Sequence, residues 1–499
     1  MGIKSTIISP IAKLISKKID RDQMNAIAHQ EKIRISNTKT ASKTQFGKDY
    51  GLSDIKSYEQ YKSTIPILNY ETIKGYMDRV LKGEKNILWP GQPSYIVGTA
   101  GTTSGVKYIP LSKQSIPYHF GTARNATMSF AYRNNVVDLF DGNLLFLSGS
   151  PKLDKTEGGI LTGRLSGIVN HQVPAWMRRN QVPSYDTNII SDWEEKVMGI
   201  IKEIHRKDLR MISGIPPWVT MFMEQLIDYT GKDSVMSVFQ NLRLFIYGGM
   251  NYEPYRQKME KLIGESLLSL ETYPATEGFI AFQTHADDNS LLLNTNAGIF
   301  FEFVPIDKLD DAEANRISLA DVKVGIPYAI MMSNNAGLFC SMIGDIVEFT
   351  SVDPYRLLVK GRTKHFISAF GEHVIAQEVE KAFTAALQKH ELPISDFTVA
   401  PMINPIDGEL PYHEWHIEVE SNTDLSDFTN TLDQEMQKVN FHYKELVGGK
   451  VIRPLRIVKH RPNTFSQYQK TLGKLGGQNK IARLSNDRKI VESLSKINV

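Results

Sequence analysis

The chain contains 499 residues, of which 41% are hydrophobic and 23% are charged, and its formal net charge is +3. That length predicts two or three folded domains with sizeable cores. The near-balanced charge gives no field that would favour a nucleic acid or an anionic membrane as a partner, and no stretch approaches the roughly 18 apolar residues of a membrane span. The composition therefore predicts a water-soluble globular protein.

The N-terminal segment and the cysteine content both bear on location. Residues 1–19 are basic and amphipathic, and four lysines interrupt any apolar run long enough for a secretory signal peptide. These are Lys4, Lys13, Lys17 and Lys18. The single cysteine, Cys340, excludes an internal disulfide and a zinc site built from several thiolates, which suits a reducing compartment. We therefore expect a cytoplasmic protein.

Residues 98–107 form a loop rich in glycine and hydroxyl side chains, GTAGTTSGVK, directly after the apolar stretch Tyr95–Val97. Three glycines allow several backbone N–H groups to turn inward, four hydroxyls add donors, and Lys107 supplies a positive charge. The spacing is not that of a P-loop, because Gly101 and Gly105 are four residues apart and no Ser or Thr follows Lys107. We interpret the loop as a phosphate site, with a plain surface turn as the alternative.

The next three hundred or so residues alternate between short apolar runs and segments with helical spacing of apolar residues. The predicted strands include Leu144–Leu147, Leu242–Tyr247 and Leu291–Leu293. The predicted helices include Trp193–His205 and Pro216–Tyr229, the second of which opens with prolines that a first helical turn tolerates. This alternation predicts an α/β fold with mostly parallel sheets covered on both faces.

After about residue 362 the pattern changes to that of a compact α+β unit. Apolar residues recur every four positions from Ile375 to Leu387, as on one face of a helix, and residues 413–420 alternate as a half-buried strand does. We therefore predict a large N-terminal domain, residues 1–361, and a smaller, mobile C-terminal lid domain, residues 362–499.

Four further motifs follow the loop at 98–107 in a fixed order. Residues 246–250 read IYGGM, 272–279 read TYPATEGF, 343–345 read IGD and 361–364 read GRTK. Together the series resembles the signature motifs of the adenylate-forming superfamily, which includes acyl-CoA synthetases, firefly-type luciferases and the adenylation domains of peptide synthetases. Each motif by itself is short, so the resemblance depends on their order.

Within that superfamily the chain is most similar to the auxin-responsive (Gretchen Hagen type) acyl-acid amido synthetases of plants and their bacterial branch. TQFGKDYG at 44–51, IPILNYETI at 65–73 and GEKNILWP at 83–90 all precede the loop as they do in that family, and GKLGGQNKIARLSND at 473–487 resembles its bacterial members. The resemblance covers almost the whole chain. It implies an enzyme that adenylates a carboxylic acid with ATP, releases pyrophosphate and passes the acyl group to an amino acid or amine.

The resemblance also implies which residues hold the nucleotide. The β- and γ-phosphates of ATP fall to Thr99, Thr102, Thr103, Ser104, Gly105 and Lys107. Adenine is expected to lie against the backbone of Gly248, Gly249 and Met250, with Tyr273 stacking on its other face. Without the resemblance, the paired glycines would be interpreted as a simple turn.

The remaining nucleotide contacts come from the later motifs. Thr276 is expected to hold the α-phosphate, and Glu277 is a hard oxygen ligand suited to Mg²⁺. Asp345 is expected to accept hydrogen bonds from both ribose hydroxyls, while Arg362 would reach the same sugar or a phosphate. The chain departs from many relatives just before Asp345, where residues 340–342 read Cys-Ser-Met in place of the Tyr and Arg of the family.

The superfamily uses a lysine of the small domain to stabilise the adenylation transition state. Lys480 aligns better with the amido synthetases, whereas Lys474 sits in a Gly-Lys pair like that of the acyl-CoA synthetases. We favour Lys480, which gives a predicted catalytic set of Lys480, Glu277 and Lys107. A hinge is expected at 362–364, and Gly371–Glu372 is expected to swing toward the adenylate after Lys480 leaves.

The acid pocket is less well defined, with Phe120–Tyr132 and Ile215–Met221 as the candidate walls. Two other functions stay open at this point. An acyl-CoA synthetase would share every nucleotide residue and differ only in its thiol acceptor, and a noncatalytic protein could bind a nucleotide or metabolite on an inherited fold.

Overall fold

The computed structural model describes residues 2–100, 106–173, 178–249, 252–362, 366–367, 369–372, 374–390, 392, 394, 396–406, 408–420, 422–471 and 481–497. The helices of these residues are α1 Ile3–Met24, α2 Ala26–Ala41, α3 Gln45–Asp49, α4 Tyr58–Thr64, α5 Tyr70–Leu81, α6 Ile116–Arg133, α7 Leu165–Gln172, α8 Tyr185–Asn188, α9 Trp193–Ile204, α10 Pro216–Thr230, α11 Glu253–Ile263, α12 Ala312–Asn315, α13 Ala376–Lys389, α14 Ser426–Val439, α15 Phe441–Gly448, α16 Thr464–Thr471 and α17 Lys489–Ile497.

The strands fall into four sheets. In chain order they are β1 Tyr95–Ala100, β2 Val106–Leu111, β3 Asn143–Phe146, β4 Asp154–Lys155, β5 Leu161–Gly163, β6 Gln181–Val182, β7 Leu209–Ser213, β8 Leu244–Gly248, β9 Leu268–Ala275, β10 Gly278–Gln283, β11 Leu291–Leu293, β12 Ile299–Pro305, β13 Ile317–Ser318, β14 Pro327–Asn334, β15 Ser341–Val352, β16 Tyr355–Arg362, β17 Phe366–Ile367, β18 Val374–Ile375, β19 Asp396–Met402, β20 Tyr412–Glu418 and β21 Arg456–His460.

The largest sheet has the strand order β13-β12-β14-β15-β16-β11-β10-β9-β8-β7-β3-β6. Neighbours from β6 to β9 pair in parallel, and these are the strands joined by the helices that the sequence predicts. From β9 to β13 the neighbours pair antiparallel. The α/β class is confirmed. Four of the eleven neighbouring strand pairs are parallel and seven are antiparallel, so antiparallel pairs outnumber the parallel ones that the sequence pattern predicts.

Local signals set the limits of the helices between the parallel strands. The Asp192 carboxylate accepts from the backbone N–H of Glu195 at 2.8 Å and caps α9. Helix α10 begins with prolines and ends at Gly231, whose φ of 62° is left-handed and favours glycine. Both helices are therefore confirmed close to their predicted bounds.

A smaller sheet with the order β19-β20-β21 lies in the C-terminal part of the chain. One face of β20 carries Trp415 and Ile417, which are completely buried in a core shared with α13 and α14. The opposite face carries Glu414, His416 and Glu418, which are also buried. The prediction of a half-buried strand is therefore wrong, because the segment after β21 covers the polar face.

The C-terminal part packs directly on the rest of the molecule. Met221 of α10 belongs to the same core as Trp415, and the Tyr255 hydroxyl donates to the Ala369 carbonyl at 2.8 Å. Arg164 pairs with Glu445 across the same contact. Among the residues that the structure describes, no helix is both long enough and apolar enough to cross a membrane.

Candidate nucleotide site

Two of the predicted site residues meet although they lie far apart in the chain. The hydroxyl of Tyr273 in β9 donates to the carboxylate of Asp345 in β15 at 2.5 Å. Tyr273 is buried at 7% exposure, whereas Asp345 is only partly buried. Across the β15–β16 ladder, Asp345 lies opposite Arg362. The motifs at 272–279, 343–345 and 361–362 therefore converge on one region of the main sheet.

The predicted adenine strand lies next to the same region. Gly248, at the end of β8, is paired with Thr272 in β9, and a Cβ at Gly248 would lie 2.3 Å from the Thr272 carbonyl oxygen. That separation is too short for any side chain, so glycine is required there. Gly249 follows with a left-handed φ of 78° and is exposed. The glycine pair thus ends β8 with bare backbone, as a flat ring ligand requires.

Thr276 and Glu277 occupy the tight connection between β9 and β10. The Thr276 hydroxyl donates to the Glu277 carboxylate at 2.7 Å, and the Asn334 side-chain amide donates to the Glu277 carbonyl at 2.7 Å. Asn334 also accepts from the backbone N–H groups of Ala336 and Leu338 at 3.0 and 3.1 Å. Asn334 therefore fixes the position of this turn, a role that no local sequence pattern indicates.

The two arms of the predicted phosphate loop form a β1–β2 hairpin. Thr99 lies opposite Lys107 in its register. The Lys107 ammonium is 5.8 Å from the ring centroid of Tyr70, and the Tyr70 hydroxyl accepts from the Tyr108 backbone N–H at 3.0 Å. Tyr70 belongs to the IPILNYETI segment, which sequence reasoning used only as a family marker. In the structure, Tyr70 contacts the β1–β2 hairpin.

The same segment also contacts the strand that carries Asp345. The Leu68 N–H donates to the Cys340 carbonyl at 2.9 Å, and the Met342 N–H donates to the Leu68 carbonyl at 2.8 Å. Residues 65–73 therefore connect the β1–β2 hairpin with the start of β15. The unusual Cys-Ser-Met sequence at 340–342 marks this strand as different from its relatives. Leu68 lies too far away in the chain for motif spacing to identify it as the partner.

A buried ion pair supports this connection from behind. Arg316 lies 3.2 Å from Glu302, both side chains are at most 1% exposed, and the Arg316 guanidinium donates to the Ile65 carbonyl at 2.9 Å. Its other nitrogen contacts the Cys340 sulfur at 2.5 Å. Burial and the Glu302 charge raise the pKa of the Cys340 thiol, which favours a neutral, structural cysteine.

The loop before α13 is held by a buried polar contact. The Glu372 carboxylate accepts from the Phe370 N–H at 2.8 Å and contacts the His413 ring at 2.8 Å. Gly371, with a left-handed φ of 92°, lies beside Ile215 at the start of α10. The predicted moving pair Gly371–Glu372 is therefore anchored on the C-terminal sheet by Glu372, with the glycine facing one of the candidate acid-pocket segments.

Several predicted residues lie outside the described part of the chain. They are Thr102, Thr103, Ser104, Gly105, Met250, Lys474 and Lys480. Within the described part, no group of three or more His, Cys, Asp or Glu side chains is arranged to hold a metal ion.

The fold and the converging motifs define a mixed α/β protein with a candidate nucleotide site on its main sheet. Sequence models of the GH3 family match three parts of the chain, its N-terminal domain at residues 15–220, its central domain at 292–362 and its C-terminal domain at 377–489. The chain belongs to the GH3 family.

Individual relatives agree with this assignment. Jasmonoyl–L-amino acid synthetase JAR4 of Nicotiana attenuata is 24% identical over 83% of each chain. Indole-3-acetic acid-amido synthetase GH3.15 of Arabidopsis thaliana is 21% identical over 82% of each chain. A solved structure of the AtGH3.15 acyl acid amido synthetase in complex with 2,4-DB has a TM-score of 0.63 at 16% identity, over 98% of this chain and 96% of that chain, and so shares the fold.

Proposed function

We propose that the protein is an ATP-dependent acyl-acid amido synthetase, which adenylates a carboxylic acid and transfers the acyl group to an amino acid or amine. The observation that carries the proposal is the contact between Tyr273 and Asp345 in a chain of the GH3 family. It brings together an adenine-stacking ring and a ribose carboxylate from two separate strands. The two full-length plant relatives compared above are named as synthetases that join an acid to an amino group.

The first half-reaction needs positioning and charge stabilisation from the protein, and no protein nucleophile. The acid carboxylate attacks the α-phosphorus of ATP, the bond to the pyrophosphate oxygen breaks, and pyrophosphate leaves. Lys107, with the hairpin hydroxyls, neutralises the charge on the leaving group. Thr276 donates to the α-phosphate, and Lys480 bridges the carboxylate and phosphate oxygens while negative charge accumulates.

Nucleotide binding falls to the residues that the main sheet positions. Gly248 and Gly249 present backbone to one face of adenine, and Asp345 accepts hydrogen bonds from the ribose hydroxyls. Arg362 lies opposite Asp345 in the ladder and reaches the same sugar or a phosphate. The exposed backbone after β8 and the partial exposure of Asp345 support this assignment.

Magnesium fits the site through Glu277. Mg²⁺ in nucleotide sites is commonly held by one or two carboxylates together with water and substrate phosphates, so a single glutamate at the turn is sufficient. When bound, the ion supplies neutralisation of the triphosphate charge. The hydroxyl of Thr276 donates to this carboxylate at 2.7 Å, and in the proposed mechanism that one hydroxyl hydrogen turns to the α-phosphate once the carboxylate holds the ion.

In the second half-reaction an amine attacks the acyl carbon of the mixed anhydride, the acyl–phosphate bond breaks and AMP leaves. We assign ATP and acid binding to residues 1–361 and the lid function to residues 362–499, with the hinge at 362–364. The buried, free Cys340 thiol supports a cytoplasmic location.

The decisive experiment offers the purified protein ATP, magnesium and a panel of carboxylic acids, including jasmonic and indole-3-acetic acid, with either amino acids or coenzyme A. Mass spectrometry of the products should find an amide and AMP. A thioester in the coenzyme A arm alone would make the protein an acyl-CoA synthetase. The absence of acid-dependent pyrophosphate exchange over the whole panel would instead indicate a noncatalytic binding protein.

The catalytic lysine has its own test, because neither candidate lies in the described part of the chain. Lys480→Ala should abolish acid-dependent pyrophosphate exchange while leaving ATP binding, measured by calorimetry, nearly unchanged. Lys474→Ala is the matched control and should retain exchange. The reverse result would move the role to Lys474.

A further inference from the structure

The outward face of α1 carries a row of large apolar side chains. Ile3, Ile7, Ile11 and Leu14 are 82%, 60%, 45% and 68% exposed. Their spacing of four, four and three residues places them on one face of the helix. Single exposed apolar residues are ordinary on protein surfaces, but a continuous row along one helix is typical of an interaction surface. We call these four residues the α1 stripe.

The inward face of α1 packs firmly on the rest of the protein. Its buried residues are Ser5, Ile8, Ala12 and Ser16, most of them small, and they pack against α6 and residues 137–141. Backbone N–H groups of Gly2 and Ser5 donate to the Asp141 carboxylate at 2.8 and 3.0 Å. Ile8, Ile15 and Ile19 also pack inward, so α1 is anchored by one face while the α1 stripe on its other face is left exposed to solvent.

Lysines border the α1 stripe on both sides. At about 100° per residue, Lys13 and Lys17 fall along one edge and Lys4 falls along the other, while Lys18 continues the line of the stripe one turn beyond Leu14. All four are exposed, and no acidic residue precedes Asp20 in the sequence. Asp20 pairs with Arg133 at 2.6 Å, and Asp22 pairs with Lys18 at 2.5 Å, so both acidic groups of α1 are engaged.

We propose that the α1 stripe and its flanking lysines dock the protein on an anionic lipid surface, with α1 lying in the plane of the membrane. An apolar row bordered by lysines is the arrangement of interfacial helices, whose apolar side chains enter the acyl boundary while the ammonium groups contact lipid phosphates. Lysine stems can extend along the apolar row and keep their charges at the headgroups.

The charge pattern disfavours a second copy of the chain as the occupant. In a two-fold dimer through this face, the same patch meets itself, so the lysines of one copy would lie near those of the other. A lipid surface with negative headgroups removes that repulsion and adds attraction. The sequence analysis expected no membrane partner because the net charge of the whole chain is only +3. That net value averages over the whole surface and hides the local basic patch on α1.

Vesicle co-sedimentation of the full chain tests the proposal. The wild type should sediment with phosphatidylcholine vesicles that contain phosphatidylglycerol, much less with phosphatidylcholine alone, and less in high salt. Ile7→Ser combined with Leu14→Ser should lower the affinity at least about tenfold. Lys13→Gln combined with Lys17→Gln should lower it about 25-fold, at about fivefold per lysine.

Ile406→Ser is the matched control, since Ile406 is fully exposed in the C-terminal part of the chain and lies outside α1. It should bind vesicles like the wild type, and all variants should keep the wild-type unfolding midpoint. Equal sedimentation with both vesicle types, or unchanged binding by the α1 variants, overturns the proposal. So does a wild-type dimer, seen by analytical ultracentrifugation, that the Ile7→Ser, Leu14→Ser variant converts to a monomer.

Discussion

The nucleotide site on the main sheet and the polar cluster of β20 use the same kinds of side chain in opposite ways. At the candidate nucleotide site, Asp345 within β15 and Glu277 in the β9–β10 turn are partly exposed, and each accepts a hydrogen bond from a neighbouring hydroxyl. In β20, the side chains of Glu414, His416 and Glu418 are all buried. Hydrogen bonds from Tyr273, Thr276 and Asn334 position the first set at an accessible place, whereas the second set is enclosed.

The β20 cluster is a closed network of hydrogen bonds. The ring nitrogens of His416 contact His460 at 2.7 Å and Glu414 at 2.8 Å, and Glu414 also pairs with Arg488 at 2.5 Å. Arg488 precedes α17, so the network fastens the C-terminal segment to the sheet. The comparison teaches that the carboxylates of the candidate nucleotide site are partly exposed to an approaching ligand, while the enclosed groups of β20 contribute to stability.

The largest expected effect comes from the buried contact between Glu372 and His413. Glu372→Ala leaves the His413 ring and the Phe370 N–H without their acceptor in a closed environment. Removing one partner of a buried pair costs about 3–5 kcal/mol, so urea denaturation should show that loss. Glu420→Ala is the control, because Glu420 is exposed two residues after the end of β20, the strand that carries His413. An unchanged midpoint for Glu372→Ala would contradict the assigned structural role.

The second effect is a pH dependence of stability. Burial, followed by the His416 charge, lowers the pKa of His460 from 6.5 to about 4. As the pH falls from about 6.5 to about 4, the unfolded chain binds a proton at this residue and the folded chain does not. The free energy of unfolding should therefore fall by about 3 kcal/mol as the pH drops through that range. The stabilising contribution of His460 should be fully present above pH 6.5.

His460→Gln should reduce this pH slope, because glutamine cannot be protonated. The slope will not vanish, since burial also lowers the pKa of His119 in α6 to about 4. The measurement is therefore the difference between the wild-type and His460→Gln unfolding curves at several pH values. If the wild type and His460→Gln lost the same stability as the pH fell, His460 would not be the cause of the pH dependence.

At the nucleotide site the expected cost appears in activity. Asp345→Asn removes the negative charge that we propose accepts hydrogen bonds from the ribose hydroxyls, and a hydrogen bond to a charged group is worth about 1.5–3 kcal/mol. The kcat/KM for ATP in pyrophosphate exchange should fall about 10- to 100-fold, with the unfolding midpoint unchanged. Glu348→Gln on the same strand is the control. A large loss of stability in Asp345→Asn would blur the distinction between the two regions.

Sequence reasoning reached the strand-borne motifs because Gly248, Thr276 and Asp345 stand in short patterns whose order carries the information. It also predicted α9 and α10, where apolar spacing and helix caps act locally. It missed Asn334 and Tyr70, since their partners Glu277 and Tyr108 lie tens of residues away. It misjudged β20 for the same reason: the alternation predicts two different faces, and only the folded chain shows that the polar face is covered.

The smallest effect separates the two roles of Tyr273, ring and hydroxyl. Tyr273→Phe keeps the ring for adenine and removes only the donor to Asp345, which can still accept from ribose. One such hydrogen bond is worth about 0.5–1.5 kcal/mol, so the KM for ATP should rise about two- to tenfold. Tyr273→Leu should cost more, because the ring is lost too, and Tyr355→Phe on β16 should change nothing. Equal effects of the Phe and Leu variants would mean that the ring contributes only packing, and that adenine stacks elsewhere.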